Sequence, residues 1–290
     1  MDGGSCCSME YLLLHYSIDL VYRFPQPIQP SPQFIGFVIR PSPRCISFIQ
    51  TTTMKLRIGW RFVLAFIALN MVMGELHEQV HISTGYWICG CYGPRDISSW
   101  STCVDCANPA WAFWATATGP LFSCSLMWLG AWLFTQSGSV AKRSLGFSLV
   151  FANLPFARMF TALIGRGDEK VVIRHLLGES ASPLLPRLIA AVVVILVCLP
   201  PVLLVAGKLS NQRRWLIIAG FLALPLLYGM LYQRMFINHL LKKGIGAEAP
   251  LFGTPNLILI HVAVMILVLF LFRKSLVRAF GNGVPPRTNV

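Results

Sequence analysis

Two histidines and a glutamate with the spacing of a metal site stand at His77, Glu78 and His81. On a helix, residues four apart lie on one face, so His77 and His81 can both direct an imidazole nitrogen toward one Zn²⁺. Glu78 then lies beside the water that the metal binds, where it can accept a proton. The pattern predicts metal-dependent hydrolysis, with Zn²⁺ as the cofactor, the two histidines as ligands and Glu78 as the catalytic residue.

The composition indicates that this motif belongs to a membrane protein. Of the 290 residues, 55% are hydrophobic and 12% are charged, and the mean hydropathy is +0.64. Because roughly a quarter of the residues of an ordinary soluble domain are charged, these values exclude a soluble globular enzyme and a disordered protein. Runs of about 20 apolar residues, enough to cross a bilayer as a helix, occur in six places. They lie at 58–76, 111–135, 144–164, 187–207, 214–236 and 251–272.

These runs predict an all-α fold: a polytopic helical membrane protein with about six transmembrane spans in a single domain over residues 54–290. The loop after the first span, 84–110, is rich in cysteine. Residues 1–53 contain six prolines and no apolar run long enough to span a membrane. We expect them to be a disordered extension or a mis-assigned start, because basic residues and an apolar helix follow Met54 directly.

The formal net charge of +13 is explained by the same architecture. Lys and Arg fall at the ends of the predicted spans, where they meet anionic lipid, so membrane lipid is the expected partner. The basic residues do not alternate with aromatic residues in a stripe, and no nucleic-acid partner is predicted. More of them lie on the side of the two termini, which predicts cytoplasmic termini. The sequence leaves the oligomeric state open.

Two other interpretations of the histidines are open. They could belong to a hydrogen-bonded polar cluster that ends the first span, although polar groups near a membrane span are costly and usually retained for function. One of them could also bind haem opposite a later histidine, an arrangement that gives Glu78 no role. The later histidines are His175, His239 and His261. His261 is expected simply to bond a neighbouring helix.

A catalytic zinc site has three protein ligands, so a third must come from another segment on the same membrane side. The Cys-rich loop, residues 165–169 with His175 beyond them, and residues 238–239 all satisfy this condition. Residues 165–169 are the best candidate, because residues 153–156 just before them should unwind the helix. Unwound backbone at membrane depth is tolerated where it is buried or lines a wet cavity. The alternative is a capped interfacial loop with its charges in water.

The order of these motifs resembles the site-2 protease family of intramembrane zinc metalloproteases. In that family a membrane-embedded His-Glu-x-x-His helix is completed by an aspartate in a later helix, after an Asn-x-x-Pro-like segment. The resemblance rests on residues 77–81, 153–156 and 167–168. It implies that Asp168 is the third metal ligand, with Glu169 as its rival. It further implies an enzyme that uses a zinc-activated water to hydrolyse a peptide bond, possible substrates being membrane-anchored proteins.

Three more polar residues are candidates for the cavity around such a site. Asn70 lies seven residues before His77 on the same helix face, where it either lines the cavity or packs in the core. Asn153 or Arg158 could stabilise the oxyanion that forms during hydrolysis.

Four cysteines of the loop form two close pairs. They are Cys89, Cys91, Cys103 and Cys106. Such pairs can hold one structural zinc or form two disulfides between the pairs, and an exported loop favours the disulfides. In either case the loop is expected to cap the site. A second class of function follows from the loop alone: a non-catalytic membrane protein with a metal-binding or redox-sensing Cys loop.

Overall fold

The computed structural model describes residues 54–136, 138–178 and 180–280. The predictions for residues 1–53 lie outside the described residues. The α-helices are α1 (Trp60–Cys89), α2 (Phe113–Gln136), α3 (Val140–Ala152), α4 (Pro155–Leu163), α5 (Asp168–Leu177), α6 (Leu184–Lys208), α7 (Arg214–Tyr228), α8 (Asn238–Lys242) and α9 (Asn256–Val277). A 3₁₀ turn (Pro109–Trp111) precedes α2, and a π-helix (Gly229–Ile237) joins α7 to α8. The predicted all-α fold is confirmed.

Within the described residues, five helical stretches are long and apolar enough to cross a membrane. They are Pro109–Gln136, Val140–Leu163, Leu184–Lys208, Arg214–Lys242 and Asn256–Val277. The protein is therefore a helical membrane protein, but the first of the six predicted spans, at 58–76, is not among the five. Residues 60–76 of that segment do lie in a helix, α1, whose polar residues, Asn70 and Glu75 among them, lower its mean hydropathy.

The first helix is longer than the sequence predicts. α1 continues to Cys89, so the cysteine-rich loop begins at Gly90 and not at residue 84. Gly90 ends the helix with φ 78°, a left-handed conformation that glycine adopts without steric cost, and its N–H bonds to the Tyr86 carbonyl at 2.7 Å. His77 and His81 consequently lie well inside a 30-residue helix instead of at its end.

The predicted unwinding near residue 153 is confirmed. α3 ends at Ala152, Leu154 adopts φ 59°, and Pro155 begins α4, where a missing N–H is tolerated. A residue of α1 stabilises the break: the side-chain amide of Asn70 donates to the Ala152 carbonyl at 2.6 Å. The Tyr228 hydroxyl in turn donates to Asn70 Oδ1. Polar groups freed by the break thus have partners inside the protein, as the interior of a membrane requires.

The core forms where α1 packs against α2, α3 and α9. At one end Phe66 and Phe147 both meet the ring of Phe221, with centroids 4.8 and 5.2 Å apart. Edge-to-face contacts of this kind add to the stabilisation from burial. α9 is mostly exposed: only three of its 22 residues are buried, and most of its exposed side chains are apolar. Such a surface suits contact with lipid.

The two ends of the helical bundle carry different segments. At one end, the chain just before α1 pairs with the chain just after α9 through the Leu56–Phe280 bridge. At the other end, the loop after α1 meets the loop before α9, where Arg95 Nη1 donates to Thr254 Oγ1 at 3.1 Å. The alternation of spans predicts this grouping. The histidine motif lies toward the second end.

Candidate metal centre

Three potential metal ligands from two helices converge on one point. His77 and His81 lie one turn apart on α1, and their Nε2 atoms are 3.1 Å apart. Asp168, the first residue of α5, places Oδ2 3.7 Å from His77 Nε2 and 3.5 Å from His81 Nε2. All three ligand atoms lie within 4.8 Å of one another, so the group could hold a metal ion. Residues that are 87 or more positions apart in the sequence thus meet at one site.

Asp168 is held in its ionised form. Burial raises the pKa of this carboxyl, but the hydrogen bonds and charges of His77 and His81 outweigh burial and keep the pKa well below its usual range. A carboxylate must be deprotonated to bind a metal ion. The environment of Asp168 therefore favours the form that a metal requires.

His81 is oriented by its surroundings. Its Nδ1 lies 2.6 Å from the Ala115 carbonyl oxygen, which can only accept, so Nδ1 carries a proton and Nε2 is the nitrogen that faces Asp168. Trp100 stacks on the other side of the imidazole, with ring centroids 5.4 Å apart and planes 25° apart. A backbone carbonyl behind a histidine is the usual outer partner of a metal ligand, because it fixes the tautomer and the ring orientation.

A glycine of α2 makes room for the histidines. A Cβ atom at Gly119 would overlap His81 Nε2 and would lie 2.6 Å from His77 Cε1. The helix can pass this close to the imidazoles because glycine has no side chain. The sequence offers only a faint signal for this role, since the pair Gly119-Pro120 indicates no more than a disturbed helix.

Arg158 connects His77 to the acidic residue next to Asp168. Its Nη2 lies 2.8 Å from His77 Nδ1, and its Nη1 donates to Glu169 Oε1 at 3.3 Å. Ser123 Oγ lies 3.1 Å from the same His77 nitrogen. Glu169, the rival that the sequence leaves open, is engaged by Arg158, and the ligand group contains Asp168 in its place.

A cavity of about 470 Å³ opens beside the ligand group, and Glu78 lines it together with His77 and Asp168. Glu78 Oε2 is buried and has no hydrogen-bond partner among the described residues. Most buried polar atoms are bonded, so an unpaired carboxyl oxygen is unusual. The carboxylate is free to bond a molecule that enters the cavity.

The other polar candidates line the same cavity but differ in which hydrogen-bond donor and acceptor atoms remain unpaired. Asn70 is saturated by its bonds to α3 and α7 and acts as a structural tie. One N–H of the Asn153 amide donates to the Leu149 carbonyl at 2.7 Å, and its Oδ1 is unpaired among the described residues. Arg158 retains a buried, unpaired Nε–H. Of the two residues expected to stabilise an oxyanion, Arg158 has a cationic donor with no partner among the described residues.

The cysteine-rich loop is closed by two disulfides between the pairs, Cys89–Cys106 and Cys91–Cys103. Disulfide sulfurs are not thiolates, so these four residues leave no ligand set for a structural zinc in the loop. The loop is anchored by Arg95, whose guanidinium binds both carboxylate oxygens of Glu75 at 2.9 and 3.0 Å. It places Trp100 against His81, as expected for a cap over the site.

The remaining histidines do not join the ligand group. His175 stacks on Phe113 with centroids 4.0 Å apart, and His239 is exposed. His261 Nδ1 lies 3.3 Å from the Tyr232 hydroxyl of the π-helix, which confirms the expected bond to a neighbouring helix.

In comparisons with known proteins, no family model matches the chain, and no curated protein or solved structure is significantly similar to it. The function must therefore be argued from the chemistry of the site: three convergent metal ligands, an unpaired acid and a cavity within a helical membrane protein.

Proposed function

We propose that this protein is an intramembrane or membrane-interface zinc metalloprotease, similar to the site-2 protease family, that hydrolyses a peptide bond. One observation carries the proposal: His77, His81 and Asp168 could hold a metal ion, and the unpaired carboxylate of Glu78 lines the cavity beside them. The surrounding helices, apolar enough to cross a membrane, favour a substrate anchored in the same bilayer.

The donor set fits zinc. Tetrahedral zinc with nitrogen and oxygen ligands at 2.0–2.1 Å separates its ligand atoms by about 3.3 Å. The three separations of 3.1, 3.5 and 3.7 Å bracket that value. Two histidines and one carboxylate are also a ligand set of catalytic zinc sites, in which one position stays open for water or substrate.

When bound, zinc lowers the pKa of a water molecule and polarises the carbonyl group that is attacked. Glu78 accepts the proton of that water through its unpaired oxygen and delivers it to the departing amine. Arg158 lines the cavity and has a free Nε–H that can donate to the carbonyl oxygen as it becomes negative. The Ala115 carbonyl holds His81 in the required tautomer throughout.

The disulfides support a membrane orientation. Disulfides form in oxidising compartments and are rare in the cytosol, so we place the loop after α1 on the extracytoplasmic side. Both ends of the 54–280 segment lie at the opposite end of the bundle and are then cytoplasmic, in agreement with the distribution of Lys and Arg. A reporter fused to the C-terminus, active only in the cytoplasm, tests this orientation.

Metal content is the direct test of the site. The full-length protein is purified in detergent and its zinc is measured by mass spectrometry, in the wild type and in His81→Ala, Asp168→Asn and Glu169→Gln. We expect about one zinc per chain, lost with either ligand and kept in the Glu169 variant, since Glu169 pairs with Arg158. Full zinc in the first two variants would exclude this centre. Loss on Cys103→Ser alone would favour a metal-binding loop.

The catalytic role of Glu78 needs a separate measurement. Glu78→Gln keeps the shape of the side chain but removes the base, so the variant should retain its zinc. Hydrolysis of casein labelled with a self-quenching dye should fall about 100- to 10,000-fold. A variant that retains zinc and full cleavage would remove Glu78 from the mechanism.

A further inference from the structure

The cavity beside the ligand group is lined by acidic and basic residues alike. The acids are Glu78, Asp168 and Glu169, and the arginines are Arg158, Arg166 and Arg234. Arg158 is paired with Glu169 at 3.3 Å, and Asp168 faces the two histidines. Arg166 and Arg234 are both exposed, and among the described residues neither guanidinium has a hydrogen-bond or ion-pair partner. Two unpaired cations therefore line the cavity.

Neighbouring cations show that Arg166 is not needed to hold its turn. The end of α4 is capped by Lys170, whose Nζ donates to the Gly165 carbonyl at 3.2 Å. Arg187 donates Nε–H to the Leu163 carbonyl at 2.8 Å. Arg166 itself takes part in the turn only through its backbone N–H, which bonds Thr161 O at 2.8 Å. Its guanidinium is left available for another partner.

Arg234 reaches the cavity from a separate and unusual element. It belongs to the π-helix Gly229–Ile237, and π-helical segments frequently occur at functional sites. Gln233 anchors this segment to α1 by donating Nε2–H to Met71 Sδ at 3.1 Å. Cations from two independent parts of the fold thus line one cavity.

The side chain of Asn153 indicates which kind of ligand the cavity can bind. Asn153 is 3% exposed and lines the cavity, and its Oδ1 has no partner among the described residues. One N–H of its amide donates to the Leu149 carbonyl, and Oδ1 is left as an unpaired acceptor. An extended peptide backbone supplies N–H donors at regular intervals. The cavity therefore offers an acceptor for a backbone N–H and two cations for an anion.

We propose that this cavity selects a peptide substrate that carries an acidic residue within a few positions of the bond to be cleaved, with Arg166 and Arg234 binding its carboxylate and Asn153 Oδ1 binding a backbone N–H. The inference rests on the proposed function, because it specifies the substrate of that site. Arginine suits this task, since its planar fork binds a carboxylate through two parallel hydrogen bonds. Arg166 and Arg234 are specificity residues, apart from the reacting atoms.

Binding of peptide hydroxamates tests the proposal without requiring turnover. Each hydroxamate binds the zinc, and pairs of probes differ only in a glutamate or a glutamine at the first, second or third residue from the hydroxamate. Dissociation constants are measured for the full-length, zinc-loaded protein in neutral phosphatidylcholine nanodiscs. At one position the acidic probe should bind about tenfold more tightly, the equivalent of about 1.4 kcal/mol for a charge-assisted hydrogen bond.

Matched variants assign the preference. Arg166→Gln and Arg234→Gln should each reduce it while leaving the affinity for the glutamine probe unchanged. Arg174→Gln, an exposed arginine of α5 outside the cavity lining, should keep it. Equal affinity for both probes at every position, or a preference that survives both cavity variants, would overturn the inference and leave the zinc site standing. Binding of no hydroxamate would overturn both.

Anionic lipid is the other source of a negative group at this position. The measurements are therefore repeated in nanodiscs that contain phosphatidylglycerol. A preference for the acidic probe should persist there. Its complete loss in the anionic discs, together with retention of zinc, would assign Arg166 and Arg234 to lipid headgroups and contradict selection of an acidic substrate.

Discussion

The guanidinium of Arg158 lies against the imidazole of His77, with Nη2 2.8 Å from Nδ1 and 3.4 Å from Nε2. A fixed positive charge next to a metal ligand opposes the binding of a cation. The same charge stabilises negative charge that forms on a substrate bound beside the metal. Arg158 should therefore influence metal affinity and catalysis in opposite directions.

The variant Arg158→Gln separates these two effects. Removal of the cation should tighten zinc binding about tenfold, measured by competition with a chromophoric chelator. Cleavage of labelled casein should fall about 100-fold, as expected when one donor to a developing oxyanion is lost. Arg174→Gln, which removes an arginine outside the cavity lining, is the control and should change neither value. Unchanged affinity and full cleavage would show that Arg158 only packs against His77.

A methyl group at position 119 should destroy the metal site. In Gly119→Ala the new Cβ overlaps His81 Nε2, and α2 or the imidazole must move. We expect the zinc content of the purified protein to fall well below that of the wild type. Gly220→Ala is the matched control, because a Cβ at Gly220 meets nothing within 4 Å and should leave zinc in place. A normal zinc content in Gly119→Ala would contradict this prediction and show that α2 can shift away from the histidines without loss of the metal site.

Local sequence rules predict much of this molecule. The helical spacing of His77 and His81 is enough to place them on one face, because the 3.6-residue period needs no information from the rest of the chain. Pro155 likewise indicates the break between α3 and α4 by itself, since proline cannot continue the hydrogen-bond ladder. The extents of the apolar spans follow from the thickness of a bilayer.

Features that depend on contacts between distant segments were not predictable in this way. Asp168 and Glu169 are adjacent acids, and only the packing of α5 against α2 and α6 decides which one meets the histidines and which one meets Arg158. The requirement for glycine at position 119 exists because α2 crosses α1 at the site. The stacking of Trp100 on His81 depends on how the disulfide-closed loop folds back over α1, and the composition of the loop does not predict that path.

Trp100 should retain the metal by covering His81. The indole stacks on the imidazole with centroids 5.4 Å apart, so Trp100→Leu opens that side of the ligand to water. Groups outside the ligand shell commonly contribute tenfold or more to metal affinity, and we expect zinc to bind about tenfold more weakly. Trp87→Leu is the control, because that indole is 82% exposed. Equal zinc affinities for the two variants would contradict a covering role for Trp100.

Asn70 should stabilise the fold by donating a hydrogen bond to the carbonyl group that the break between α3 and α4 leaves unpaired. In Asn70→Leu the buried Ala152 carbonyl loses its side-chain donor, and the Tyr228 hydroxyl keeps only the more distant Ile67 carbonyl, at 3.5 Å. An unpaired buried group costs about 1–3 kcal/mol, so the midpoint of thermal unfolding in detergent should fall clearly. Tyr228→Phe leaves the bond between Asn70 and Ala152 in place and should produce a smaller decrease. Because neither residue belongs to the ligand group, both variants should still bind zinc below their unfolding temperatures. A larger decrease for Tyr228→Phe than for Asn70→Leu would contradict the role of Asn70 as the tie between these helices.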